Sequence, residues 1–510
     1  MPSEPLGSAL AALLVVAGVS GCSSGCDSEL DLLGQGGPAG AGGSGGGGST
    51  GGLGGWGGEA GSAGLGGAGG GGAAPLPPGA HLWSKRFGNA SSQQLSGGVA
   101  VDYWGNVILA GACEDMLDFG GGPLACSEFA QMFLVKLGPD GGHLWSRLFG
   151  DGWPSAAATG SSGEIVLAGS FEAADFGGGS LPVGDGGWGF FVARLGEDGG
   201  HLWSAGFSAD DLDDALELSV SAGPAGTTFI AGGFTGTLDL GGGPIESVGK
   251  LPHGADLFVA KFGPSGEHIW SRGFGSGGEH VAKDVAADGQ GNVIVAGASI
   301  GAIDFGGGPC DAAGFRHIFV AKLGPDGEHL WSRCFGEGVY EAARAVAADE
   351  AGSVVLAGEF DAVDFGGGMP ASADYQDAFV AKLDPDGEHL WSRAFGGPEQ
   401  QWADAVAIDP FGNVVFSGQF AGDINLGDGV VSSFGGEDLE DPYVAKLDPH
   451  GNPLWSHTFV APGWPSATYV ASDAAGSVVL AGDFFGSLDL GGGPLVNVGY
   501  NDIFAAKFAP

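Results

Sequence analysis

The sequence predicts an all-β fold: a seven-bladed β-propeller of four-stranded antiparallel blades, with the N-terminal strand closing the last blade. Three observations predict it. The tripeptide Leu/Ile-Trp-Ser recurs with its Trp at 83, 145, 203, 270, 331, 391 and 455, a spacing of about 62 residues that marks a repeat architecture. Each interval holds short β-rich runs bounded by turn signals, and no ten-residue stretch at helical period. The array opens with an orphan outer strand, His81-Leu82-Trp83-Ser84, and its last unit stops after Ile503–Phe508 without one. The first strand can therefore complete the last unit, which removes the open edges of a linear array.

One unit shows the elements in order. Strand a, Ala345-Val346-Ala347-Ala348-Asp349, is built of small residues, as the inner strand of a tapering blade must be. Strand b follows at Ser353–Gly358, then a Gly-rich connection, then strand c at Phe379-Val380-Ala381-Lys382-Leu383. Asp384-Pro385-Asp386-Gly387 makes a tight turn, since Pro presets φ and Gly accepts positive φ. Strand d, His389-Leu390-Trp391-Ser392-Arg393, carries the bulky residues outward.

The chain has 510 residues, 108 of them Gly, and a formal charge of −43. Such a charge repels phosphate backbones and anionic headgroups, which excludes nucleic-acid binding. With 43% hydrophobic residues there is nevertheless ample apolar surface to bury. Residues 1–21 read as a signal peptide: Ala9–Val19 is apolar and too short to span a bilayer. Residues 22–75 read as a Gly/Ala/Ser-rich tether, and 76–510 as the propeller. Gly64–Gly69 spells the dinucleotide-binding glycine pattern, but without a strand before it or a helix after it this is composition, not a site.

Two resemblances add to this reading. Val19-Ser20-Gly21-Cys22 resembles the lipobox of bacterial lipoproteins, which implies lipidation at Cys22 and an anchor at the outer membrane or cell surface; the alternative is an ordinary secretion signal. The leading segment departs from that pattern in carrying Glu4 and no Lys or Arg. Asp-x-x-Gly-Asn before an apolar strand (Asp288–Asn292, Asp409–Asn413), with Phe-Val-Ala-Lys-Leu before a Pro-Asp-Gly turn, resembles the bacterial β-propeller repeat family across residues 81–508. That resemblance implies a cell-surface or secreted propeller and carries no enzymatic activity. The Gly-x-x-x-Trp segment also looks like the tryptophan-docking motif of quinoprotein-type propellers, without matching cofactor ligands.

A residue present in every unit is explained most economically by blade construction. Lys136, Arg194, Lys261, Lys322, Lys382, Lys446 and Lys507 are expected to pair with repeated carboxylates or stack on the neighbouring Trp. Asp118, Asp175, Asp239, Asp304, Asp364 and Asp489, with Asn425 in the remaining unit, are expected to brace glycine-rich turns. His143, His201, His268, His329 and His389 share one position before the Trp and read as blade residues. Gly297-Ala298-Ser299-Ile300-Gly301 spells a nucleophile elbow but leads into a loop rather than a helix. Calcium is weighed at Asp384–Glu388 and at the acidic runs Asp210–Asp214 and Glu437–Asp441, with solvated acidic loops favoured; no cofactor is expected. Cys113 with Cys126 and Cys310 with Cys334 are disulfide candidates in an oxidising compartment, with buried thiols the alternative and Cys26 left over.

The function expected is that of a non-catalytic binding or scaffolding module at the bacterial cell surface, its partner an extracellular glycan or surface protein. The alternative is a secreted propeller enzyme cleaving polysaccharide as a hydrolase or lyase. The membrane is met only through the lipid anchor. Antiparallel alternation puts the long d–a and b–c connections on one face, the candidate binding face. Near the start of strand a, one repeat position holds Lys283, Arg344 and Asp404 where other units carry Gly97, Ser155 and Thr468. Lys283 and Arg344 are expected either to hold an anionic group such as a uronic acid carboxylate or to neutralise nearby acids.

Overall fold

The computed structural model describes residues 76–510, apart from 90–93, 128–129, 184–186, 212–217, 249–254, 369–371, 373–374, 435–439, 460–462 and 464. The signal segment, Cys22, Cys26, the tether, Gly64–Gly69 and most of both acidic runs lie outside the described residues.

Alternating short strands and turns make antiparallel sheets, and the only helical element among the described residues is a 3₁₀ turn at Pro224–Gly226. The fifth unit orders Ala342–Ala348, Val354–Phe360, Asp377–Leu383 and His389–Phe395 as strands a to d of one four-stranded sheet. The fourth unit does the same with His280–Ala287, Val293–Ser299, His317–Leu323 and His329–Phe335. In the sheet of Ser466–Ser472, Val478–Phe484 and Asp502–Phe508, the outer strand is His81–Phe87, so the two ends of the array share one sheet. The first two units are joined by a single long strand, His143–Thr159, outer in one sheet and inner in the next.

Strands b and c are mostly buried, and Val354–Phe360 and Asp377–Leu383 are buried along their whole length. They read as continuous apolar runs because the sheets are covered on both faces, so no polar alternation is left. Each core is shared by successive units. Ile294, Ile318 and Val320 of the fourth unit pack with Val346, Leu356 and Phe379 of the fifth. Val479, Ala481 and Ile503 of the last pack with Val99, Leu109 and Phe133 of the first.

Two register shifts recur. In strand d a bulge between His and Trp, as at His81/Trp83 and His201/Trp203, turns the intervening Leu outward, and Leu82 and Leu202 are exposed. In strand a a second bulge falls at Ser96/Gly98, Pro154/Ala156, Ala282/Asp284, Ala343/Ala345, Ala403/Ala405 and Ser466/Tyr469. The Gly-rich b–c stretches also contain small hairpins, such as Asp423–Asn425 with Val430–Ser432.

Candidate binding face

Lys283, Arg344 and Asp404 are the extra residues of the strand a bulges in three successive units, as Gly97 and Ser155 are in theirs. A bulge bends the strand and re-aims the unpaired side chain. The structure brings Arg344 and Asp404 together across the unit boundary, with Arg344 Nη1 donating to Asp404 Oδ1 at 3.0 Å. Arg344 Nε bonds Glu359, and the guanidinium lies 5.6 Å from the centre of the Trp402 ring. Gln419 donates to Ser466 Oγ at 3.2 Å, extending the polar chain to the last unit. Burial pushes the Asp404 carboxyl up to about 6 against the pull of Arg344, and burial likewise raises Glu440. Lys283 is half-buried in the preceding unit. Its neighbour Asp284 accepts Ser219 Oγ at 2.6 Å and the Val346 amide at 2.8 Å, while burial raises its carboxyl to about 6.

The long connections meet above these bulges. The d–a segments bond the preceding b–c segments through Gly152 N to Ala130 O, His280 N to Ala255 O and Gln401 N to Gln376 O. Exposed aromatics are most numerous there: Trp153, Trp188, Phe315, Tyr340, Tyr375, Phe434, Phe485 and Tyr500, against Tyr103, Trp104 and Phe411 on the a–b turns of the opposite side.

The repeated residues build the frame. Each of Asp118, Asp175, Asp239, Asp304, Asp364 and Asp489 accepts two glycine amides, such as Gly366 N at 2.7 Å and Gly368 N at 2.8 Å on Asp364, and Asn425 does the same. His143, His201, His268, His329 and His389 each bond the Ser three residues on. Lys136, Lys322, Lys446 and Lys507 pair with Asp102, Asp288, Asp409 and Asp473 of their own a–b turns at 2.9–3.0 Å. Where the second unit has Gly160 instead, Arg194 reaches Glu164 at 3.3 Å. The expected stacking on Trp belongs to Arg147, Arg333 and Arg393, over Trp145, Trp331 and Trp391.

The strand d tryptophans dock on the c–d turn of the next unit: Nε1 donates from Trp83 to Pro139 O at 2.9 Å, and from Trp331 to Pro385 O at 2.8 Å. The turn glycine has positive φ, and a β-carbon on Gly387 would lie 2.8 Å from Trp331, so no other residue fits there without strain.

Ser299 is buried, donates to Gly301 O at 2.8 Å and meets His280 Nδ1 at 2.7 Å. Ser299 thus gives its proton to a backbone carbonyl, and His280 Nε2 is taken up by Ser276. Asp384 Oδ1 accepts the Asp386 and Glu388 amides, a turn role. Among the described residues no group of three or more His, Cys, Asp or Glu is arranged to hold a metal ion. Cys113 and Cys126 are bonded at 2.03 Å, tying strand b to its small hairpin, and Cys310 is bonded to Cys334 of strand d.

Sequence reasoning missed Trp153 and Trp188. The pentapeptide Gly-Trp-Pro-Ser-Ala occurs at 152–156 and again at 463–467, a signal outside the main repeat.

These sheets and inter-unit docks define a β-propeller repeat protein. No protein-family model matches the chain, and no curated protein matches it. Among solved structures it is similar to a chain of a mitotic checkpoint complex (8% identity, TM-score 0.41, covering 84% of this chain and 95% of that one). It is similar also to the WD40 β-propeller domain of Doa1 (10%, 0.38, 83% and 96%) and to a protein of unknown function from Dyadobacter fermentans (13%, 0.36, 71% and 95%). Likenesses this distant carry no function to this chain.

Proposed function

We propose that the chain is a seven-bladed propeller of the bacterial β-propeller repeat type, closed by its N-terminal strand and exported. Lipidation at Cys22 anchors it at the outer membrane or cell surface. There it serves as a non-catalytic binding module, presenting the d–a and b–c connections to an extracellular glycan or surface protein. The observation that carries this reading is the set of exposed aromatics on that one face, among them Phe315, Tyr340 and Tyr375. Exposed aromatic side chains above a rigid scaffold mark interaction surfaces. Arg344, already held by Glu359 and Asp404, fixes the inner strands beneath the face; an anionic sugar would have to displace both carboxylates. The test is binding of the full chain to arrays of extracellular polysaccharides and surface proteins, compared with the Phe315→Ser, Tyr340→Ser, Tyr375→Ser triple variant. Binding that is lost without a change in melting temperature supports the reading, and a parent that binds neither class contradicts it.

A second reading, polysaccharide cleavage, draws on the raised carboxyls of Asp404 and Glu440 beside Arg344. It requires release of reducing ends that Asp404→Asn abolishes.

A further inference from the structure

Trp153 and Trp188 form the one stacked pair of tryptophans among the described residues, ring centres 5.4 Å apart and planes at 17°. Both are exposed, at 40% and 37%. Trp153 lies in strand a opposite Ser170 of strand b, which in turn lies opposite Phe190 of strand c. Trp188 precedes Phe190 by two residues, so the indoles span the end of strand b on the face of the long connections.

Two observations and the chemistry of indole point to a ligand. The pair breaks the repeat, as a single site must: the positions matching Trp188 hold Ala130, Ala255, Arg316, Gln376, Glu440 and Asn501. The strand position of Trp153 recurs as Trp402 in the sixth unit, but there Arg344 lies over the ring and the side chain is half-buried. Trp153 instead stacks on an equally exposed partner, so two rigid plates are held in water by each other. Their π-faces are electron-rich and suit polarised C–H groups.

We propose that the Trp153–Trp188 pair is a platform on which an uncharged pyranose ring of a polysaccharide stacks. The proposal rests on the reading of this face as a binding surface. The axial C–H groups of a sugar ring supply the positive edge that the indole faces accept, and its hydroxyls stay in water. A uronate or sulfated sugar is disfavoured by the chain's charge of −43. A folded protein partner needs about 800 Å² of contact on each side, whereas this platform is two side chains flanked by Gly152, Gly187 and the half-buried Ser170.

The test is affinity electrophoresis of the full chain through gels containing a neutral β-glucan, a neutral galactomannan or a polygalacturonate. The proposal expects retardation by a neutral polymer, weakened about tenfold by Trp153→Ala or Trp188→Ala and largely kept by Trp153→Phe, with unchanged melting temperatures. Phe411→Ala, on an a–b turn, serves as control and leaves retardation intact. Retardation by polygalacturonate alone, or equal retardation of parent and both alanine variants, overturns the platform. So does a parent that no neutral polymer retards, even if it binds a protein; the Phe315, Tyr340 and Tyr375 triple variant then judges the broader reading separately.

Discussion

A β-carbon on Gly79 would lie 2.8 Å from Cδ2 of Trp455, in the relation that Gly141 has to Trp83 and Gly387 to Trp331. The turn before the first strand thus meets Trp455 as the c–d turns meet the other two tryptophans. His457 reinforces the contact through Nε2 to Gly79 O at 2.7 Å. Gly79 has φ +70°, so Gly79→Ala combines backbone strain with a clash and is expected to cost roughly 2 kcal/mol or more. Thermal melting checks this, with Gly277→Ala, at positive φ but in open space, as the milder control.

Lys322 clamps two units at once. Its Nζ is 3.0 Å from Asp288 of its own a–b turn and donates to Gly352 O of the next at 3.1 Å. Burial works against the Asp288 charge, but bonds from Asn292 and Lys322 prevail and hold its carboxyl below the usual range. Lys322→Met strands that carboxylate in the core and is expected to destabilise by about 3–5 kcal/mol in denaturant titrations at pH 7.

Stability is expected to depend on pH with opposite signs at two buried groups. Burial, and then Asp361, pushes the Glu341 carboxyl up to about 8, so the folded state holds this proton more tightly than the unfolded chain. Its contribution is full below about 4.5 and is lost as pH rises through about 8. Burial, and then His317, lowers His280 to about 4; its contribution is full above about 6.5 and is lost as pH falls through about 4. Melting temperature should therefore fall less between pH 5 and 8 in Glu341→Gln than in the parent. A parallel fall in both proteins would reject the assignment.

Arg344→Ala is expected to lower the melting temperature, because it leaves Glu359 and Asp404 facing each other without their shared cation. A loss of about 1–3 kcal/mol is anticipated for these partly exposed pairs. Arg344→Ala combined with Asp404→Asn should recover part of it. Equal losses in the single and double variants would mean that packing on Trp402, not charge, sets the cost.

The frame was legible because repetition turns one residue into seven. The Asp364-type turns, the Lys322-type clamps and the small inner strands all recur at fixed spacing. The strand a bulge was not, since one extra residue in an Ala- and Val-rich run leaves the apolar pattern unchanged, so Lys283, Arg344 and Asp404 aligned without revealing that they sit on it. The contact between Arg344 and Asp404 was equally hidden, as it crosses between sheets. Trp153 and Trp188 escaped because no other unit has a Trp at the position of Trp188, and Trp153 recurs at its strand position only as Trp402, so seven-fold comparison never pairs them. The hairpins within the b–c connections are only two or three residues per strand, too short for any period.

We propose that the N-terminal strand closes the ring, which leaves neither end of the array with an open sheet edge. Hydrogen–deuterium exchange of the intact chain tests it most directly. Asp502–Phe508 pairs with Val478–Phe484 on one side and with His81–Phe87 on the other. All of its amides should therefore exchange slowly, and deletion of residues 81–87 should release those facing the lost strand. Fast exchange of alternate amides in the intact chain, or protection that survives the deletion, would contradict closure.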